Sequence, residues 1–475
     1  MVDNNGNVNF AMYHSKENGD RYKEVIIKYL PTNWNIYAYG PKLPKMLSRD
    51  LAERKNLFIE DIYEHPVFQR KLSDEEIIYA ERWLGFPFNL ILEFCISTMG
   101  SVKKSGLRRK KELLAKYLMA WREFLTKNKI DVLSTNLNAS LMDAIAVGTA
   151  NKLNIPVRGV LGGRLENTMA IFDENFLPVS IKNNERAPTW ALKEPPTKVL
   201  PFYTENPLQK TTKSKRPIPF ISLIDSYLKY AKFYNSLCKE EKLKWRPPIV
   251  ASYDKAVGIF RKKATMLLFD TPPGDEKYFL FPLHWSLDSQ ILWREYGLNQ
   301  FELIGKISRS LPSGVYLHVR PHPHLMCEDV PIGKLLEMKK LHNVRFVSPR
   351  RDIYKTMKDA SGIITINSTS GFEAIMHGFP VITVGRDFYA REGVCVVVRD
   401  YHELPDILFK IMENPQYGVD KRKRERFISE YINNIISIRS PIKPTGLELS
   451  DKDGAYIAKK LAEVVEEIVI KKGKG

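Results

Sequence analysis

Short apolar segments alternate with amphipathic helical segments along most of the chain. Strand patterns are predicted in the N-terminal half at residues 8–13, 34–39, 57–59, 131–135 and 156–160, and helical patterns at 22–30, 74–99, 107–128 and 140–153. Strands that are separated by helices in this way are typical of a parallel sheet covered by helices.

The second half repeats this alternation with shorter connections. Strands are predicted there at 278–283, 315–319, 344–347, 362–366, 381–384 and 394–398, and a final helix at 451–470. Short connections of this kind are typical of a doubly wound sheet.

The region between the two halves has a different composition. Residues 178–220 are rich in Pro, Lys, Thr and Asn, which predicts loops, and Trp-Arg-Pro-Pro at 245–248 predicts a hinge. At ~100–200 residues per domain, a chain of this length favours two or three domains. We therefore predict an α/β protein with three parts. These are an N-terminal Rossmann-like domain at 1–245, a C-terminal Rossmann-like domain at 246–450, and a helix with a basic tail at 451–475.

The chain is basic. Lys and Arg number 73 against 55 Asp and Glu, so the formal net charge is +18. Such a surface suits phosphate groups, nucleic acid or anionic lipid, and charge alone does not choose among them. The basic residues are dispersed and no RNA- or DNA-binding module is recognisable, so we expect no nucleic-acid partner.

Cysteine usage and the apolar runs indicate a cytoplasmic protein. The four cysteines are scattered without the C-x-x-C spacing of a structural zinc site, which is typical of a reducing compartment; they are Cys95, Cys238, Cys327 and Cys395. The polar N-terminus is unlike a signal peptide. The most apolar run, at 84–99, is too short to span a bilayer.

The strongest local motif is ITINSTSGFEA at residues 364–374, where a β-branched strand runs into hydroxyl side chains and then a helix. Ser368 or Thr369 is predicted at the helix N-terminus, where free N–H groups and the helix dipole bind phosphate. Gly371 is predicted to let a ligand approach the backbone, and Glu373 to accept hydrogen bonds from ribose hydroxyls. The alternative is an ordinary N-cap that a Glu reinforces.

A second motif, HVRPHPH at residues 318–324, directly follows a predicted strand. Ligands of open α/β sheets bind beyond the carboxyl ends of the strands. Arg320 is therefore predicted to hold a phosphate bidentately, and His322 to donate to a phosphate oxygen or to act as an acid. The alternatives are a metal site, because three histidines occur in seven residues, and surface histidines without a role.

A third motif, FPLHWSLDS at residues 281–289, also follows a strand end. His284 and Asp288 are candidates for contacts with a donor sugar or a base. Trp285 is predicted in the core.

The N-terminal half carries weaker candidates. Asp143 lies in the helix after the strand at 131–135, and Arg164, Glu166 and Asn167 follow the next strand. A general base or nucleophilic carboxylate is expected on this side of the molecule. Asp143 and Glu166 are the catalytic candidates, and Arg164 and Asn167 are candidates on the acceptor side.

A basic amphipathic helix is predicted from the stretch that begins at Lys103 and continues to residue 125. Leucines and aromatic residues recur on one face at helical spacing, and Arg108–Lys111 lie on the other. Such a helix can lie on anionic lipid. The favoured alternative is an ordinary surface helix packed on its own domain, so peripheral contact with the inner face of the cell membrane stays open.

Between residues 278 and 400 the chain resembles the capsule polysaccharide biosynthesis family, which includes bacterial Kdo transferases of capsule and lipopolysaccharide assembly. The similar segments occur in order: FPLHWSLDSQ, NQFELIGKISRSLPSG, VYLHVRPHPH, NVRFVSP, IITINSTSGFEAIMHGFPVITVG and DFY. The resemblance implies a GT-B fold, in which two Rossmann-like domains face each other across a cleft and the C-terminal domain holds the nucleotide. It implies a glycosyltransferase that moves a sugar from a nucleotide-activated donor onto a surface polysaccharide or glycolipid.

The resemblance also implies roles for individual residues of the second half. His322 and Pro323 are similar to the family's His-Pro pair, which contacts the nucleotide phosphate. Ser368 and Thr369 are similar to its Ser/Thr pair at the phosphate, and Glu373 to the acidic residue that follows, near the ribose.

Other matches to the family are looser. His284 and Asp288 resemble a His-Trp-x-x-acid pattern, with Asp in place of the expected Glu. In the N-terminal half only IPVRGVLGGRLENTMAIFDEN is similar, through Arg164 and Asn167. The family's catalytic carboxylate is therefore not placed.

The expected donor is a CMP-activated acidic sugar such as CMP-Kdo, and a UDP- or GDP-sugar stays open. No D-x-D pair lies at a strand end, so we expect a metal-independent reaction in which the helix dipole and basic residues stabilise the leaving phosphate. No cofactor is expected beyond the nucleotide-sugar substrate. The rival hypotheses are a CDP-glycerol-type polyol phosphate transferase, a sugar-nucleotide epimerase of the same fold, and a non-catalytic basic protein that binds a membrane surface or nucleic acid.

Overall fold

The architecture is taken from a computed structural model. It describes residues 7–13, 21–40, 51, 54–92, 106–137, 141–193, 220–236, 242, 247–285, 291, 295, 298–322, 326–440, 442–443, 446–447 and 449–473. The strands are β1 (Asn9–Tyr13), β2 (Asn35–Gly40), β3 (Leu57–Asp61), β4 (Val132–Ser134), β5 (Val157–Gly162), β6 (Thr168–Phe172), β7 (Tyr278–Pro282), β8 (Tyr316–Arg320), β9 (Val344–Phe346), β10 (Gly362–Thr365), β11 (Val381–Thr383), β12 (Val396–Val397), β13 (Ile435–Ser437), β14 (Ile442–Lys443) and β15 (Gly446–Leu447).

The helices lie mostly between these strands. They are α1 (Arg21–Tyr29), α2 (Asp74–Leu84), α3 (Leu107–Lys127), α4 (Leu141–Lys152), α5 (Trp190–Lys193), α6 (Phe220–Ser236), α7 (Pro248–Met266), α8 (Gln300–Ser310), α9 (Ile332–Lys339), α10 (Ile353–Lys358), α11 (Thr369–Met376), α12 (Leu404–Glu413), α13 (Lys421–Asn433) and α14 (Asp451–Gly473).

The N-terminal sheet has the strand order β13-β6-β5-β4-β1-β2-β3. Its strands from β5 to β3 run parallel, and β6 and β13 add an antiparallel edge. Because β1 is covered on both faces, it reads as an apolar run, with Phe10, Ala11, Met12 and Tyr13 all buried.

The C-terminal sheet is parallel throughout, in the order β12-β11-β10-β7-β8-β9. The first strand of this sheet along the sequence is the central strand β7, in which every residue is buried. Phe279 of β7 pairs with Leu317 of β8 on one side and with Gly362 of β10 on the other. The predicted fold class, two Rossmann-like α/β units with parallel sheets, is confirmed.

After the second sheet the chain returns to the first. Ile435 of β13 pairs with Ala170 of β6, and α14 packs on α1 with Ile457, Leu461 and Val465 fully buried. The predicted span 246–450 thus contains a strand that completes the N-terminal sheet. The domain boundaries themselves stay a prediction.

The basic amphipathic helix corresponds to α3, and its apolar face lies in the core. Leu114, Leu118 and Trp121 are buried against the N-terminal sheet. Residues 103–105, where the basic stretch begins, lie outside the described residues. The structure therefore gives α3 the packing of an ordinary domain helix, and its apolar face is not available to lipid.

A helix break interrupts the predicted helical pattern at 74–99. α2 ends at Leu84 because Gly85 takes the left-handed conformation, with φ of 86°, and its N–H caps the helix end.

Among the helices that the structure describes, none combines the length and the apolar character that crossing a bilayer requires.

Candidate functional site

Three adjacent strands of the C-terminal sheet bring the predicted groups to one edge. β10, β7 and β8 are neighbours and run parallel, so their carboxyl ends lie side by side. His284, His322 and Ser368 follow the ends of β7, β8 and β10 within three residues each. The connection between this edge and the next helices is therefore where a ligand of this sheet would lie.

Ser368 is the N-cap residue of α11, but its side chain does not cap the helix. Its Oγ instead accepts a hydrogen bond from Thr365 Oγ1 at 3.0 Å, and its backbone N–H donates to the same Thr365 oxygen at 3.1 Å. The Ser368 side chain therefore leaves the capping position of α11. This geometry disfavours the ordinary N-cap and leaves the helix N-terminus open to an anion.

Gly371 serves packing within the protein. A Cβ at this position would approach the Tyr389 hydroxyl to 2.6 Å and Thr365 Cγ2 to 2.8 Å. The Tyr389 hydroxyl in turn donates to the Ser368 carbonyl at 2.8 Å. The close neighbours that favour glycine here are thus Tyr389 and Thr365, and the approach of a ligand to this backbone stays a prediction.

Glu373 and Arg320 form a buried, electrostatically coupled pair. Burial raises the pKa of Glu373 to about 8, and the Arg320 guanidinium acts in the opposite direction. Burial lowers the pKa of Arg320 to about 10, with Glu373 and Asp352 acting against that shift. Near neutral pH the carboxyl is therefore largely protonated while the guanidinium is charged, so the pair contributes net positive charge to this edge.

The guanidinium of Arg320 is partly committed to the backbone. Nη2 donates to the Pro349 carbonyl at 2.8 Å and to the Arg351 carbonyl at 3.3 Å. Its Nε has no partner among the described residues. These bonds fix the side chain at the end of β8, and the remaining N–H groups are what a phosphate could engage.

His284 is held through its backbone. Its N–H donates to Gln300 Oε1 at 2.9 Å, and Gln300 Nε2 donates to the His284 carbonyl at 3.2 Å. Gln300 is the first residue of α8, whose N-cap Asn299 accepts hydrogen bonds from the N–H groups of the first turn. The reciprocal amide pair fixes the loop after β7 while the imidazole of His284 faces a pocket.

This pocket is a small cleft between the loops after β7 and β8. Both candidate histidines line it, and the full set is Leu283, His284, Trp285, Gln300, Phe301, His322, Cys327, Asp329 and Val330. Trp285 is 37% exposed, so the prediction that it lies in the core is wrong. An aromatic ring beside two imidazoles is suited to stacking with a base or a sugar.

The turn that carries His322 is conformationally strained. The N–H of Met326 donates to the His322 carbonyl at 3.0 Å, and Met326 and Cys327 have positive φ angles of 49° and 57°. Two consecutive non-glycine residues in this region are costly and cluster at functional sites. Burial raises the pKa of Cys327 to about 12, so its thiol stays neutral and is no nucleophile.

His318, the first histidine of the second motif, is part of the sheet. It is buried, its Nε2 lies 2.9 Å from Glu276 Oε2, and its ring stacks on Tyr278 with centroids 3.7 Å apart. It lies inside β8, whereas His322 lies beyond the strand end. Within the part of the chain that the structure describes, no group of three or more His, Cys, Asp or Glu is placed to hold a metal ion.

The two halves of the molecule meet at α11. Nη1 of Arg164, from the loop after β5, donates to Thr369 Oγ1 at 3.2 Å. The same guanidinium lies over the Phe388 ring, 5.8 Å from its centroid, and the Arg164 N–H donates to the Tyr431 hydroxyl at 2.9 Å. The structure thus brings together two predicted site residues that are 205 positions apart in sequence.

The carboxylates of the N-terminal half differ sharply from each other. Asp143 is buried, and its Oδ1 accepts the Asn136 N–H at 3.0 Å, which fixes the loop after β4. Glu166 is exposed. Asn167 has a positive φ of 50°, and its carbonyl accepts the Ile438 N–H at 2.8 Å. Of these two candidate carboxylates, Glu166 is therefore the one that an incoming substrate could reach.

Two predicted site residues, Pro323 and Asp288, lie outside the described residues, so their roles stay predictions.

Residues 259–401 match the family described as capsule polysaccharide biosynthesis protein. Over this segment the chain is similar to that family. The segment runs from α7 through the whole C-terminal sheet and contains every candidate residue on its carboxyl edge. A comparison with curated protein sequences gave no match.

Several solved structures are similar over long stretches at low identity. The Thermosulfurimonas dismutans KpsC β-Kdo 2,7 transferase is 12% identical, with 73% of this chain and 89% of that chain covered and a TM-score of 0.33. The Methanocaldococcus jannaschii UDP-GlcNAc 2-epimerase is 14% identical over 96% and 99%, with a TM-score of 0.24. Anabaena HepE in complex with UDP-glucose is 9% identical over 98% and 100%, with a TM-score of 0.27. Values this low say nothing about the reaction or the substrate of this chain.

Sequence reasoning missed the residues that support the carboxyl edge of the C-terminal sheet. Gln300 holds the loop of His284, and Tyr389 holds the backbone of Ser368. Both lie inside segments that resemble the family, the first in NQFELIG and the second in DFY. Their position within those segments was the available signal, but their partners are distant in sequence and only the fold reveals them.

Proposed function

We propose that this chain is a glycosyltransferase of capsule polysaccharide synthesis, which moves a sugar from a nucleotide-activated donor onto a surface polysaccharide or glycolipid. The observation that carries the proposal is the carboxyl edge of the C-terminal sheet. On this edge lie a helix N-terminus that its own N-cap side chain leaves uncapped, two loop histidines and a buried arginine, all within the segment that matches the family.

In this proposal the donor phosphate lies at the N-terminus of α11. Ser368 and Thr369 offer hydroxyls there, and the backbone N–H groups of the first turn offer fixed dipoles. The charge that develops on the leaving phosphate is stabilised by groups that are already in place, namely Arg320, His322 and the helix dipole. Because these groups supply positive charge, we propose a metal-independent reaction, for which activity that survives EDTA is the expected result.

The sugar and the acceptor lie between the two sheets. Arg164 reaches α11 from the N-terminal half, so a single side chain links the acceptor side to the proposed phosphate site. We propose Glu166 as the general base that removes the proton of the acceptor hydroxyl. The donor is a CMP-linked acidic sugar in the first instance, with UDP- and GDP-sugars as the other classes to test.

A thermal-shift panel tests the donor site with CMP, CDP, UMP, UDP, GDP and ADP. A nucleotide at 100 times its Kd should stabilise the folded protein by ~2.7 kcal/mol. His322→Ala should weaken that nucleotide at least tenfold, which corresponds to ~1.4 kcal/mol. The matched control is His402→Ala, because His402 is exposed and does not line the pocket.

The outcomes separate the rival functions. A shift that His322→Ala removes and His402→Ala keeps supports the phosphate site, whereas unchanged affinity in His322→Ala would exclude His322 from it. No shift with any nucleotide would favour a non-catalytic surface protein. If a nucleotide binds, analysis of the products distinguishes sugar transfer from polyol phosphate transfer and from epimerisation.

A further inference from the structure

Helix α7 turns its apolar face to the solvent. Ile249, Tyr253 and Phe260 are 75%, 68% and 66% exposed, and Leu267, the residue that caps the helix, is 87% exposed. Their spacing of four, seven and seven residues places all four on one stripe of the helix. A helix of a globular domain ordinarily directs such a stripe into the core.

The opposite side of α7 is the side that packs on the protein. Gly258 and Thr265, about half a turn from the stripe, are buried. A Cβ on Gly258 would lie 3.6 Å from Glu328, and α7 also contacts α9 of the C-terminal unit. The exposed stripe is therefore the outer face of a helix whose small inner face is fixed to the nucleotide side of the molecule.

The neighbouring helix α6 extends this surface. α6 packs on α7, and its Ile224 and Leu228, one helical turn apart, are both exposed. Together the two helices carry six Lys and Arg against two Asp, namely Lys229, Lys232, Lys255, Arg261, Lys262 and Lys263 against Asp225 and Asp254. Lys232 follows Leu228 by one turn of α6, and Lys263 lies within about 60° of the α7 stripe, so exposed positive charge borders the exposed apolar side chains.

We propose that this α6–α7 face, defined by Ile224, Leu228 and the α7 stripe, docks on the surface of an anionic lipid bilayer. An amphipathic helix that lies in a bilayer interface buries aromatic and aliphatic side chains among the acyl chains and keeps Lys and Arg at the headgroups. The stripe from residue 249 to residue 267 is about 27 Å long at 1.5 Å per residue. This length lets the helix lie flat on the membrane.

Charge selects lipid over a second copy of the chain. Two copies that met through this face in a symmetric dimer would bring Lys232 and Lys263, both exposed, into the shared interface. An anionic surface instead attracts every one of these side chains. Docking of this face on lipid does not depend on which nucleotide or sugar the protein uses.

Vesicle flotation of the full chain tests this proposal. The probes are vesicles of phosphatidylglycerol and phosphatidylcholine and vesicles of phosphatidylcholine alone, at low and at high salt. Wild-type protein should float with the anionic vesicles and bind phosphatidylcholine at least tenfold more weakly. Phe260→Asp should weaken the anionic partition about tenfold or more, and Lys232→Glu with Lys263→Glu should do the same.

The matched control is Phe409→Asp on α12, since Phe409 is an exposed phenylalanine on a different face. It should float like the wild type, and the melting temperature of each variant should be unchanged because each side chain is exposed. Absence of wild-type flotation would overturn the proposal. So would flotation that the lysine variants lose but Phe260→Asp keeps, because attraction would then be purely electrostatic. A dimer that Phe260→Asp dissolves, without vesicle binding, would assign the face to self-association.

Discussion

The carboxyl edges of the two sheets carry similar kinds of residue in different states. On the C-terminal edge the charged groups are buried, and Arg320 and Glu373 shift each other's pKa. On the N-terminal edge, Asp143 is bound to a backbone N–H, whereas Glu166 is exposed. The contrast suggests a division of labour, because phosphate binding requires groups fixed in advance, and proton transfer requires a carboxylate that the acceptor can reach.

The largest effect should come from Glu373. Its pKa is about 8 in the folded protein against an ordinary value of 4.5, so the folded state binds a proton more tightly than the unfolded state. The stability that this proton contributes is fully present below pH 4.5 and is lost as pH rises through 8. At 1.36 kcal/mol per pKa unit, the loss across that window is several kcal/mol.

Glu373→Gln should therefore flatten the dependence of the melting temperature on pH. In thermal unfolding between pH 5 and pH 9, the melting temperature of the wild type should fall relative to that of Glu373→Gln as the pH rises. Glu413→Gln, at an exposed position, should follow the wild-type curve. Parallel curves for wild type and Glu373→Gln would mean that Glu373 is ionised in the folded protein already at pH 5.

The next effect distinguishes the two carboxylates of the N-terminal edge in catalysis. If Glu166 is the general base, Glu166→Gln should lower kcat at least ~100-fold, since a positioned base contributes about 10²–10⁴-fold. Nucleotide affinity should stay unchanged because Glu166 lies on the other sheet. The measurement is turnover with the donor whose nucleotide gives a thermal shift, and wild-type kcat in Glu166→Gln would remove this residue from the chemistry.

Asp143 should instead affect stability. Asp143→Ala leaves the half-buried Asn136 N–H without its acceptor, which should cost about 1–2 kcal/mol of unfolding free energy. Asp143→Asn is the matched control, because its amide oxygen can still accept that bond and should recover most of the loss. Denaturant unfolding of both variants measures this. An Asp143→Ala protein that is stable but inactive would reverse the assignment and make Asp143 the catalytic candidate.

The sequence predicted the C-terminal edge better than the N-terminal edge for a physical reason. In a parallel sheet each strand delivers its loop to the same edge, so HVRPHPH and ITINSTSGFEA could be placed together before their contacts were known. The helix N-terminus at Ser368 is likewise a local property. Partners that arise only from folding could not be predicted, among them the return of β13 to β6 and the support of Ser368 by Tyr389.

The burial of individual side chains could not be predicted from the sequence either, and it changes the chemistry of the candidate site residues. Glu373 was expected as a ribose-binding carboxylate, yet its enclosure beside Arg320 keeps it largely protonated near neutral pH. A protonated carboxyl both donates and accepts hydrogen bonds, so contact with a ribose hydroxyl stays compatible with this state. Trp285 was expected in the core, and the loop after β7 places it at the pocket instead.

The smallest effect concerns the contact that joins the two edges. Arg164 Nη1 donates to Thr369 Oγ1 at 3.2 Å, and both side chains are half-buried. A double-mutant cycle of Arg164→Ala and Thr369→Val should give a coupling of about 0.5–1 kcal/mol in the free protein, because solvent weakens a partly exposed bond. Denaturant unfolding of the four proteins measures the coupling. If a donor phosphate then occupies the N-terminus of α11, it competes with Thr369 for this guanidinium, and the coupling should shrink when the nucleotide is added. A coupling that nucleotide leaves unchanged would show that Arg164 serves only to hold the two sheets together and that the phosphate is bound by the C-terminal edge alone.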